Sequence, residues 1–88
     1  MTALDVSVNG RHVCVAGIGN GVLAAHVTRT GNDRNENIRL AVGGLEGGHY
    51  LDWLMPSVGV GDEVTIRIVD VPTTDPPTTR ELPLRNRN

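Results

Sequence analysis

Apolar and polar residues alternate from the start of the chain. Leu4, Val6 and Val8 are interleaved with Asp5 and Ser7, and the alternation resumes in Arg11–Ala16 beyond Asn9-Gly10. An Asn-Gly pair between two such runs predicts a β-hairpin with a two-residue type I′ turn, because both central positions require φ > 0. In that register Val8 lies opposite Arg11, Ser7 opposite His12, Val6 opposite Val13, Asp5 opposite Cys14 and Leu4 opposite Val15. One face is then aliphatic, and the other carries Asp5, Ser7, His12 and Cys14.

Three glycines in Gly17-Ile18-Gly19-Asn20-Gly21 break regular structure. Residues 22–30 read as a third strand and residues 31–36 as a solvated loop. Ile38, Leu40 and Val42 then alternate with Arg39, Ala41 and Gly43 in a fourth strand. Tyr50, Leu51 and Leu54 are spaced for one short helical turn near residues 49–55, which Pro56 ends. Val64, Ile66 and Ile68 alternate with Thr65, Arg67 and Val69 in a last strand. Residues 72–88 hold Pro72, Pro76, Pro77 and Pro83 among polar side chains, and this composition reads as an extended or disordered tail. A chain cut after Val71 is expected to keep its fold. The pattern predicts a mainly β domain over residues 1–71, a single small antiparallel sheet curled into a sandwich or partly open barrel.

Composition narrows this. With 88 residues, no Phe, one Trp and one Tyr, the core is small and built from Val, Leu, Ile and Ala. The single cysteine, Cys14, excludes an intrachain disulfide, so self-association into a homodimer is the expected reinforcement. All eight basic residues are Arg, the net charge is −2 and no basic run occurs, which disfavours a nucleic-acid partner. No apolar stretch approaches the ~20 residues of a membrane helix, and a bacterial cytoplasmic location is the expectation.

Candidate chemistry is sparse. Asp5, Ser7, His12 and Cys14 contain the residue types of a nucleophile, a base and an orienter, but side chains standing off a flat sheet do not converge readily. The Gly17–Gly21 loop resembles a dinucleotide fingerprint but fails its spacing, since Val22 stands where the third glycine belongs. His12, His26 and His49 fall on separate elements without metal-site spacing, so no metal or cofactor is expected. Tyr50 and Trp53 are the candidate interface residues, because these residue types anchor many protein interfaces.

The segment Val42-Gly43-Gly44-Leu45, with His49, Leu51, Trp53-Leu54 and the run from Val60 through Gly61-Asp62-Glu63 to Val69, resembles a family of small uncharacterised bacterial β proteins. These share an early Asn-Gly hairpin and a terminal strand of this type. The resemblance implies the fold and carries no activity. The leading expectation is a non-enzymatic protein-interaction module, of immunity or regulatory type. The alternative is a small-ligand-binding or hydrolytic protein using the Asp5, Ser7, His12, Cys14 face or the Gly17–Gly21 loop.

Overall fold

A computed structural model describes residues 1–81. The chain is mainly β, with no helix among the described residues. The strands are β1 (Thr2–Val8), β2 (Arg11–Ala16), β3 (Val22–Asn32), β4 (Asn35–Glu46), β5 (His49–Trp53), β6 (Val64–Asp70) and β7 (Thr78–Glu81). They form two antiparallel sheets in the orders β2-β1-β6 and β3-β4-β5-β7, not closed into a barrel. The expected single curled sheet is thus two sheets. Val6, Val8, Cys14 and Ala16 of the first share one buried cluster with Leu40, Val42, Leu51 and Trp53 of the second.

The first hairpin turns at Asn9 (φ 54°) and Gly10 (φ 80°), as an Asn-Gly type I′ turn requires. Its register departs from strict alternation. Val8 faces Arg11 and Ser7 faces His12, but Val6 then faces Cys14, Asp5 faces Val15 and Leu4 faces Ala16. Val13 is the extra residue of a β-bulge, and beyond a bulge every side chain changes face. Cys14 and Ala16 enter the core beside Val6, where the simple register had placed Val13 and Val15.

The helical turn near residues 49–55 is instead β5. Glu46 and His49 pair across Gly47-Gly48, both with φ > 0, which makes a second two-residue hairpin turn. The β5 ladder to residues 42–46 of β4 then imposes a period of two: Leu51 and Trp53 point into the core, while Tyr50 points out. Spacing alone fitted either geometry, and cross-strand pairing decided it. The expected loop at 31–36 shrinks to a turn at Asp33-Arg34, so β3 and β4 make a long ribbon. Arg29 stiffens its tip through Glu36 at 2.8 Å and Asp33 at 3.2 Å.

Residues 72–77 run extended against the body. Asp75 N donates to Val15 O at 2.8 Å, and its Oδ2 accepts from Val15 N at 2.8 Å, so this strap caps the outer edge of β2. Residues 78–81 pair with β5 as β7. The tail is therefore not detached from the domain through residue 81, and its remainder, 82–88, lies outside the described residues.

Candidate interaction surface

The four polar residues of the first hairpin do not assemble. Asp5, Ser7 and His12 share the outer face of the first sheet, where His12 Nε2 lies 3.3 Å from Asp5 Oδ1. That approach is too poorly aligned for a hydrogen bond and leaves the buried oxygen without one. The bulge at Val13 turns Cys14 to the opposite, buried face. Burial pushes its thiol above the ordinary value, and the carboxylates of Asp75 and Asp5 push the same way. A nucleophile needs the thiolate, so this environment opposes reactivity.

The Gly17–Gly21 loop is occupied by the protein itself. Asn20 N donates to Glu46 Oε2 at 3.1 Å, so a carboxylate stands where a phosphate would have to sit. A Cβ on Gly17 would meet the Thr74 methyl at 2.6 Å, and this glycine serves the packing of the strap. His12, His26 and His49 lie on β2, β3 and β5. No group of three or more His, Cys, Asp or Glu side chains is placed to hold a metal among the described residues.

Tyr50 and Trp53 face opposite sides of β5. Trp53 is 6% exposed and donates Nε1–H to Asp75 O at 2.8 Å, the arrangement of a core residue whose polar end is satisfied within the chain. The two therefore do not share a surface. Tyr50 is 38% exposed on the outer face of the second sheet, beside Leu45 and Val22.

The apolar surface that sequence reasoning missed lies on β6. Through β1 its residues Val64, Ile66 and Ile68 stand beside Val8, Val6 and Leu4, on the face that forms the core elsewhere. Val64 still packs against the core cluster, but Ile66 is 39% and Ile68 79% exposed, beyond the cover of the second sheet. Among the described residues β6 is also an edge strand, with β1 on one side.

The direction of its free backbone groups is fixed by bonds at both ends. Asn9 N donates to Glu63 O, Glu63 N donates to Asn9 Oδ1, and Val71 N donates to Met1 O. Residues alternate in an antiparallel ladder, so Glu63, Thr65, Arg67, Val69 and Val71 turn their main-chain groups to β1. Val64, Ile66, Ile68 and Asp70 turn theirs to the open edge.

No family model, curated protein or solved structure matches this chain. The surface is read from its own geometry. At the β2 and β3 edges the same liability is managed: Asp75 caps β2, and β3 presents His26, Thr28 and Arg29 between its apolar positions. Beside β4, a groove of about 470 Å³ between residues 37–42 and 52–58 is already walled by the chain around Pro56. The loop before β6 is held rigid. Asp62 accepts from Asn9 Nδ2 at 3.0 Å and from Gly59 N at 2.8 Å, bonds that hold its carboxyl below the ordinary value. The edge is thus anchored at its start by Asp62 and Asn9, and at its end by Asp70, which pairs with the Met1 ammonium at 3.0 Å.

Proposed function

We propose that this chain is a non-enzymatic protein-interaction module that engages another polypeptide along β6, by strand addition to the β2-β1-β6 sheet. The observation that carries this reading is the coincidence, on one strand, of outward-turned main-chain groups with uncovered Ile66 and Ile68. Strand addition uses both: the main chain supplies affinity, and alternate side chains supply specificity. The separation of Cys14 from Asp5, Ser7 and His12, and the self-filled glycine loop, remove support from a hydrolytic or nucleotide-binding reading.

The test pairs the wild-type chain with Ile68→Asp, which alters an exposed side chain and is expected to leave the far-UV circular dichroism of the folded protein unchanged. Each is tagged and used to capture protein from an extract of the source organism. A stoichiometric protein retained by the wild type and lost with Ile68→Asp supports the reading. Retention that ignores the substitution opposes it. So does a specific small molecule that raises the midpoint of the isolated protein by several degrees, equally in both forms.

A further inference from the structure

We infer that the polypeptide added to β6 is the β6 strand of a second copy of this chain, giving a two-fold, six-stranded sheet. This rests on the preceding reading and names the partner. A two-fold axis perpendicular to the sheet keeps each face on its own side, so core-face residues meet core-face residues. Only registers that place Val64, Ile66 and Ile68 opposite one another satisfy the outward-turned main-chain groups.

Three neighbouring registers meet that condition, and charge distinguishes them. Placing Ile66 opposite the partner's Ile68 puts Arg67 directly against the partner's Arg67, a destabilising like-charge pair. Placing Ile66 opposite the partner's Val64 sets the exposed Ile68 against the partner's Asp62. Placing Ile66 on the two-fold axis, opposite the partner's Ile66, avoids both. Val64 then meets the partner's Ile68 and Arg67 meets the partner's Thr65, with the partner's Glu63 on the adjoining diagonal, within reach of a long guanidinium side chain. The reciprocal pairs at 64, 66 and 68 use every outward-turned main-chain group of those three residues. Asp70, which comes opposite the partner's Asp62, already carries the Met1 ammonium as its counter-charge.

The two copies of Val64, Ile66 and Ile68 form a continuous apolar strip along the two central strands. Each copy extends the row of Leu4, Val6 and Val8 in its own sheet. A second copy also supplies the reinforcement that a small core without a disulfide lacks.

Sedimentation velocity on the full chain tests this, over about 5 to 200 μM. The wild type is expected at twice the chain mass. Ile68→Asp is expected to run as a monomer with unchanged circular dichroism. Arg67→Glu and Glu63→Arg are each expected to weaken association by about tenfold, and the double exchange to recover most of that loss. A dimer indifferent to Ile68→Asp, or single charge reversals without recovery in the double, overturns the proposed interface. A wild-type monomer at the highest concentration overturns self-pairing. In that case, capture of a different protein that Ile68→Asp abolishes leaves the interaction reading standing, and its failure too removes both.

Discussion

Trp53 Nε1 donates to the main-chain oxygen of Asp75 at 2.8 Å, and the same Asp75 grips Val15 through its N–H and its Oδ2. One residue of the strap thus ties β5 of one sheet to the edge of β2 in the other. In a two-sheet fold with a small aliphatic core, such a tie resists the sliding that packing of Val and Leu alone permits.

Removing the strap should therefore be costly. A chain ending at Val71 loses three hydrogen bonds of Asp75, worth about 1 kcal/mol each, together with the β7 ladder. Its melting midpoint by far-UV circular dichroism is expected to fall by more than about 10 °C. Trp53→Phe keeps ring bulk and removes only the donor, for an expected loss of about 1–2 kcal/mol in urea unfolding. An unchanged midpoint in both variants would show that the strap contributes nothing.

Cys14 should behave as an inert core residue. Burial and two nearby carboxylates oppose its thiolate, so labelling by a disulfide reagent at pH 8 is expected to be slow in the folded protein and rapid in denaturant. Cys14→Ser places a hydroxyl in that site and is expected to cost about 1–3 kcal/mol, whereas Cys14→Ala should cost less. Rapid stoichiometric labelling of the native protein would contradict this.

Asp62 predicts an acid limb of the stability profile. Its carboxyl is held below the ordinary value by Asn9 Nδ2 first and then by Gly59 N. A group with a lowered folded-state value contributes stability that is complete above its unfolded value. That contribution is lost as pH falls through the folded one. Unfolding midpoints in urea, compared for wild type and Asp62→Asn, should therefore differ most near neutrality and converge below about pH 4. A constant difference across that range would assign the effect to packing instead.

Gly44 should resist substitution. It sits in β4 between Leu23 and Leu51, and a Cβ there would overlap the main-chain oxygen of Val22. Because the obstacle is backbone, relief requires the β3–β4 ladder to shift, and Gly44→Ala is expected to lower the midpoint by more than about 8 °C. Gly59→Ala, with open space around it, serves as the control.

Local chemistry was legible in the sequence and coverage was not. Asn9-Gly10 announced its turn because φ > 0 is a property of two residues, and the alternation in β1, β4 and β6 reported strands for the same reason. Gly47-Gly48 carried an equivalent signal, overshadowed by the Tyr50, Leu51 and Leu54 spacing that suits helix and strand alike. The bulge at Val13 had no marker, since Arg11–Ala16 alternates plausibly in either register and only the burial of Cys14 and Ala16 chooses. Likewise, the alternation of Val64, Ile66 and Ile68 reports only that these residues share a face. Whether another sheet lies over that face depends on strand order.

The pairing of β1 with β6 sets a sequence of events for the folding chain. Thr2 lies beside Asp70, whereas β1–β2, β3–β4 and β4–β5 each close across a two-residue turn. The three hairpins can form from local encounters, but the β2-β1-β6 sheet must wait for a loop of more than fifty residues to close, from Val8 to Val64 at its shortest. On a ribosome, the first hairpin emerges long before its third strand is made. Leu4, Val6 and Val8 are exposed meanwhile beside an unpaired β1 edge, so this chain's greatest exposure to misassociation falls in the interval between synthesis of β1 and synthesis of β6.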